Sequence, residues 1–334
     1  MKRSLYALAV SFAVLCTAGG FVHAKESVVV VAVVDSGVLT DHPSLQGKLL
    51  AGVDMVSGPF SQRGGRSANA APDERHVRCE GREPVAQYRT HGTEVASVIV
   101  GNGDGGAWGV APQAKVVPVR VMSACGMSRK DLLDAMAWSA GLPVEGLPLN
   151  TTPARIVNVS LTGGRSYCGP DLQALVNSLA ARGVFVVAAA GNTFGQRLKE
   201  PANCEGVIAV GAVNNKNEVA HYSALDERTT LYAQGGGTQR NAQGQRHLSG
   251  LRVASFDLSH LGQEQPSVHD KGVGTSFAAP LVAGFIAQWL AHKPSLTPNE
   301  FQRQLHRFTE PVPGLSACAE CKPRKLAQQQ PPLH

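Results

Sequence analysis

An open, doubly wound α/β fold, with a mostly parallel sheet flanked by helices, is the architecture this sequence predicts. Three observations carry the prediction. Val28 to Val34 is an unbroken Val/Ala run closed by Asp-Ser-Gly, the pattern of a strand buried on both faces. Similar runs recur at Lys115–Val121, Arg155–Ser160, Val184–Ala190 and Val207–Val213. Amphipathic stretches with helix start and stop signals lie between them. Alternation of this kind gives parallel strands joined by right-handed crossovers.

The elements follow in order. The first strand ends at Asp35, where Ser36-Gly37 turns the chain. Ser57–Arg89 is polar and turn-rich and reads as a long surface loop. Thr93–Val100 reads as a helix introduced by His91-Gly92, with Gly92 permitting close backbone approach. Ser128–Ser139 opens with Ser128-x-x-Asp131, which resembles a capping box. Asp171–Arg182 lies between Pro170 and Gly183, the expected punctuation of a helix. Gln234–Lys271 is again polar and reads as a second long loop. Gly272–Gly284, "GVGTSFAAPLVAG", opens an apolar helix. Ser276 stands at its mouth, just after Thr275, and Pro280 is expected to be tolerated where first-turn N–H groups lack intrahelical partners.

Length and composition are those of one large globular domain. The chain has 334 residues, 43% of them hydrophobic and 17% charged, with a formal net charge of +6. Arginines cluster in 62–89 and 239–252, inside the polar loops. No basic stripe interleaved with aromatics is present, so nucleic acid is not an expected partner. Residues 1–24 read as a secretory signal peptide. Lys2 and Arg3 supply the positive start, Leu5–Cys16 the apolar run, and Val22-His23-Ala24 the cleavage site. That run is too short to span a bilayer, and no membrane anchor is expected. Export to the periplasm or beyond the cell follows. Residues 25–310 then form the main domain. Residues 311–334 form a Cys-containing, Pro/Gln-rich tail, disordered after Cys321.

Cysteine usage fits export. Of 7 cysteines, six follow the signal peptide: Cys79, Cys125, Cys168, Cys204, Cys318 and Cys321. An even number in an exported chain favours disulfides, and six cysteines allow about 15 connectivities. Cys318-x-x-Cys321 lacks the second CxxC or His pair that a zinc site needs.

Candidate chemistry lies at the strand ends and helix mouths. A serine hydroxyl needs a base, and the base needs an orienting carboxylate. Asp35 follows a buried strand, His91 precedes a helix, and Ser276 opens another. Asn192 follows the strand through Ala190. Each alone is an ordinary turn or cap residue; together they form an acid–base–nucleophile set. The elbow G-x-S-x-G of another hydrolase class is absent around Ser276.

Here the sequence resembles the subtilisin-like serine proteases. The blocks are "VVAVVDSGV" around Asp35, "HGTEVASVIVG" around His91, "AAAGN" ending at Asn192 and "GTSFAAPLVAG" around Ser276. They are linked by "HPSL", "GVAPQAKVVPVRV", "NVSLTGG" and "VIAVGAV". The resemblance spans Val28 to Pro294 and implies a subtilisin-like fold. It also implies a secreted endopeptidase in which Ser276 attacks the scissile carbonyl, His91 is the base and Asp35 orients it. Asn192 and the Ser276 N–H would stabilise the oxyanion. Ser160-Leu161-Thr162 and Ala189-Ala190-Gly191 would form the two walls of the substrate cleft, gripping an extended peptide. Thr162 stands where the family commonly has Gly, and its branched side chain is expected to narrow that cleft. The alternative is an inactive scaffold that binds peptides without cutting them.

The resemblance also implies pairings and departures. Disulfide-bearing bacterial relatives imply Cys79–Cys125 and Cys168–Cys204, leaving Cys318–Cys321. Glu94 stands where a second His is usual, and Ser97 where Gly is usual. Ser44 replaces a calcium-ligating Asp. Asn102 and Asp104 in "GNGDGG" offer oxygens, but a plain Gly-rich turn is preferred, so no metal or other cofactor is expected. Only Lys25-Glu26-Ser27 separates the expected cleavage site from the first strand. Without the usual pro-region, a separate folding or inhibitory partner, the C-terminal segment or disulfide formation would take its role.

Overall fold

The computed structural model describes residues 28–73, 77–240, 243, 245–257, 265–312 and 324–326. Its strands are β1 (Val30–Asp35), β2 (Val53–Asp54), β3 (Lys115–Arg120), β4 (Ile156–Val159), β5 (Phe185–Ala189), β6 (Ile208–Val213) and β7 (Leu231–Gln234). They continue with β8 (Gly237–Arg240), β9 (Arg246–Ser249), β10 (Leu251–Asp257), β11 (Gln265–Gly272), β12 (Thr309–Pro311) and β13 (Arg324–Leu326). The helices are α1 (Gln87–Val100), α2 (Arg129–Ser139), α3 (Pro170–Ala181), α4 (Thr275–His292) and α5 (Pro298–Arg303).

Among the described residues, one sheet orders its strands β12-β13-β7-β6-β5-β4-β1-β3-β2. Every pair is parallel except β12–β13. From β1 the chain first adds β3 on one side, then β4 on the other. Strand order therefore reverses at β1, and the ends of β1 and β4 face a switch point where open α/β sheets hold their sites. Asp35 closes β1, and Ser160 directly follows β4.

Successive side chains of a strand point to opposite faces, and β1 divides in that way. Val31 and Val33 join the core with Val95 and Ile99 of α1, Val282 and Ile286 of α4, and Phe301 of α5. Ala32 and Val34 join the opposite core with Leu132 and Met136 of α2 and Leu172 and Leu179 of α3. Burial of each such aliphatic side chain contributes about 1.5–3 kcal/mol. Helix α2 is capped as its sequence predicts, the Ser128 hydroxyl accepting from the Asp131 N–H.

Three expectations are corrected. Gln234–Lys271 is not a loop but two ribbons, β8–β9 and β10–β11. Polar residues occupy both faces of these strands, so they lack the apolar runs that mark the main sheet. Residues 324–326, inside the tail read as disordered, form β13 and pair with β7 in register Lys325–Tyr232. Helix α1 begins at Gln87 rather than after Gly92. Its start carries no side-chain cap, so nothing in the sequence announces it.

The structure pairs Cys79 with Cys125 and Cys168 with Cys204, with Cα separations of 5.3 Å and 5.0 Å. Cys318, Cys321 and residues 1–24 lie outside the described residues.

Candidate active site

Asp35 is fully buried at the end of β1. Its Oδ1 accepts the Ser36 N–H at 2.7 Å and meets His91 Nδ1 at 2.8 Å. One atom thus receives a backbone donor and an imidazole donor, which fixes the ring's orientation. His91 lies in the second turn of α1. Gly92 explains how the helix comes so near to the strand end. A Cβ on Gly92 would stand 2.2 Å from the Gly37 carbonyl oxygen, so only glycine allows the approach. The Gly92 N–H also donates to Ser36 Oγ at 3.0 Å.

The His91 side chain keeps 18% exposure, enough to be reached from outside, and its ring lies 5.7 Å from that of Phe277. Burial alone would lower its pKa. The neighbouring Asp35 carboxylate, through charge and hydrogen bond, and the charge of Glu94 more than offset this, so the net direction is upward.

Ser276 is the second residue of α4, after the N-cap Gly274 and Thr275. Helix N-termini present unpaired N–H groups and positive dipole ends. Pro280 is the sixth residue of this helix, not a first-turn residue, so the earlier rationale for it fails. It removes the donor that would meet the Ser276 carbonyl. The structure supplies another, since Ser160 Oγ donates to the Ser276 carbonyl at 2.8 Å. Ser160 in turn accepts from Asn158 Nδ2 at 3.0 Å. The residue after β4 thereby anchors the first turns of α4.

Asn192 is oriented by Thr275, the first residue of α4. Its Oδ1 accepts the Thr275 N–H and the Thr275 hydroxyl, both at 3.0 Å. Because an N–H can only donate, the amide orientation follows. Asn192 Nδ2 has no protein partner among the described residues. It lies beside Gly274, whose φ is +144° and whose hypothetical Cβ would stand 3.0 Å from that nitrogen. The Thr275 hydroxyl also accepts from the Gly191 N–H at 3.1 Å. Thr275 was legible only as a neighbour of Ser276; its side-chain partners come from another strand's end.

One cleft of about 670 Å³ gathers His91, Ser276, Asn192, Ser160, Leu161, Thr162, Ala189 and Gly191. Asp35 stands behind His91, and Ala190 is buried beneath the wall. The walls nearly touch: a Cβ on Gly191 would lie 3.2 Å from Thr162 Cγ2. Glu94, His269 and Lys271 line the same cleft; the sequence reading assigned the last two to a loop.

Among the described residues no group of three or more His, Cys, Asp or Glu could hold a metal ion. Asn102 is engaged in a turn, its Oδ1 accepting the Asp104 N–H and its Nδ2 donating to the Pro43 carbonyl. The Asp104 carbonyl accepts from Ser44 Oγ.

Fold and cleft together define a subtilisin-like α/β protein. The family model described as Subtilase family, peptidase S8, matches residues 26–316. An extracellular protease of Xanthomonas campestris pv. campestris is 37% identical over 299 residues, 87% of this chain and 48% of that protein. An extracellular basic protease of Dichelobacter nodosus is 34% identical over 302 residues, 86% of this chain and 47% of that one. Among solved structures, a protease from Pseudoalteromonas arctica superposes with a TM-score of 0.76 at 32% identity, covering 89% of this chain and 87% of that one. A cold-adapted subtilisin-like serine proteinase shares the fold, with a TM-score of 0.65 at 22% identity and coverage of 91% and 89%. The chain belongs to the subtilase family. It spans about half the length of the two curated relatives named here.

Proposed function

We propose that this chain is a secreted serine endopeptidase acting on peptide or protein substrates through Asp35, His91 and Ser276. The observation that carries the reading is the 2.8 Å Asp35–His91 hydrogen bond, in a cleft that His91 shares with Ser276 and Asn192.

Ser276 Oγ attacks the scissile carbonyl while His91 takes its proton. The resulting imidazolium is stabilised by Asp35, which remains ionised and holds the proton-bearing Nδ1. The oxyanion is met by Asn192 Nδ2 and by the Ser276 N–H at the helix mouth. His91 returns its proton to the leaving amine, leaving an acyl-enzyme. Water, activated by the same ring, then hydrolyses the acyl-enzyme. An extended substrate lies between Ser160–Thr162 and Ala189–Gly191, bound by main-chain hydrogen bonds, and the Thr162 methyl favours a small or flat side chain before the cut.

Export is supported by the charged and apolar pattern of residues 1–24, by the relatives' names and by two disulfides, which persist in oxidising compartments. No helix among the described residues is long and apolar enough to cross a membrane.

A fluorophosphonate probe tests it. Labelling of the wild type that is lost in Ser276→Ala, together with cleavage of a peptide library, is expected. Folded wild type that takes no label and cuts nothing would leave a peptide-binding scaffold instead. Activity requires neutral His91. With its pKa raised, the acid limb of the pH profile should lie above the ordinary His value of about 6.5.

A further inference from the structure

Beside the Asp35–His91 pair stands a second carboxylate that the mechanism above does not use. Glu94 follows His91 by three positions on α1, so their Cβ atoms are helix-surface neighbours, about 5–6 Å apart. Glu94 is only 9% exposed. A carboxylate so buried persists as an anion only when hydrogen-bonded, and β10–β11 supplies the donors. Ser255 Oγ donates to Glu94 Oε1 at 2.7 Å. His269 Nε2 faces the same oxygen at 3.5 Å. The His269 tautomer agrees: its Nδ1 accepts the Lys271 N–H at 3.2 Å, which leaves the proton of the neutral ring on Nε2. One turn further along α1, Ser97 Oγ accepts the Ala254 N–H at 3.0 Å. Glu94 and Ser97, where this chain departs from the family's usual His and Gly, thus both hydrogen-bond α1 to the hairpin.

We infer that Glu94 is a positioning residue for the base: the hairpin fixes its carboxylate beside His91, where it acts through space as a second negative charge and sets the acid limb of activity. The inference rests on the reading of His91 as the base. The direction of the electrostatics supports it. Burial would raise the Glu94 carboxyl, but the hydrogen bonds from His269 and Ser255, the His91 charge and the bond with Thr90 bring it below the usual range. Glu94 is then ionised wherever His91 titrates. Other charges near His91 are Asp35 from β1 and His269 and Lys271 from β11; α4 presents the Phe277 ring. Arg89 of α1 donates to the Asp73 carbonyl, and Arg120 of β3, paired in register with Asp35, is held by Asp54 and Asp73.

The test compares the pH dependence of kcat/KM in wild type, Glu94→Gln and Ser255→Ala. The His91 imidazole is also titrated by NMR in Ser276→Ala protein with and without Glu94→Gln. Glu94→Gln should move both midpoints to lower pH, raising relative activity on the acid limb by about tenfold per unit of displacement. Ser255→Ala, which removes a hydrogen bond but leaves the charge, should leave both midpoints in place. A structural role alone predicts similar losses from the two variants and no displacement. Should Glu94→Gln fail to fold, Glu94→Ala serves as the second charge-removing variant. An active enzyme whose His91 titration does not move would overturn the inference alone. A displaced titration, alongside a wild type that cuts nothing, would support the Glu94–His91 coupling and sink the endopeptidase reading.

Discussion

The two flanks of the cleft are built from different materials. The flank proposed to meet the oxyanion consists of neutral groups held by neutral groups: Asn192 by Thr275, Thr275 by Gly191, and the Ser276 carbonyl by Ser160. The flank of the proposed base consists of titratable groups: Asp35 and Glu94 around His91, with His269 and Lys271 at the edge. Fixed dipoles that never titrate suit a site where charge appears only during the reaction. A proton acceptor needs a field that places its pKa. Variants on the first flank should therefore change rate without moving the pH profile, and variants on the second should move both.

The sharpest break is Asp35→Asn, which removes the carboxylate charge and can present an amide donor to His91 Nδ1, so the tautomer is no longer fixed. A fall in kcat of roughly 10⁴ is expected, with the remaining acid limb displaced to lower pH; steady-state kinetics across pH measure both. Next comes Asn192→Ala, with an expected loss of about 10²–10³ in kcat and an unchanged pH midpoint. A displaced midpoint would show that the flanks are not separable. Thr275→Val removes the hydroxyl bonds to Asn192 and Gly191 and keeps the shape. At about 1 kcal/mol for a typical hydrogen bond, a loss of roughly tenfold in kcat is expected, with substrate KM little changed. The smallest rate effect belongs to Ser160→Ala, read mainly in denaturation. Leaving the Ser276 carbonyl, orphaned by Pro280, without its donor should destabilise the fold by about 1–3 kcal/mol. A variant as stable as wild type would mean that α4 does not depend on that contact.

On both flanks the motif residues are legible in the sequence and the partners that orient them are not. Asp35, His91, Asn192 and Ser276 stand in motifs whose neighbours are fixed by local geometry: a buried strand before Asp35, a glycine after His91, a glycine before Asn192. The partners that orient them stand elsewhere in the chain. Thr275 meets Asn192 across 83 positions, Ser255 meets Glu94 across 161, and Ser160 meets Ser276 across 116. None of these pairs has a local pattern. The ribbon carrying Ser255 and His269 was hidden for a related reason. Strand β10 sets Arg252, Ser255 and Asp257 among its buried Val253, Ala254 and Phe256, and β11 is mostly polar, so neither shows the unbroken apolar run of the main sheet.

Taken alone, the sequence determined the main sheet, the alternation of strand and helix, and the positions where chemistry could stand, because burial on both faces demands continuous apolar runs and tight turns demand particular residues. Only the tertiary structure decided where α1 begins, what holds Asn192, how the chain satisfies the carbonyl that Pro280 leaves bare, and which charges surround His91. Those outcomes depend on hydrogen bonds and fields between distant segments, and such interactions act through distances that no linear pattern records.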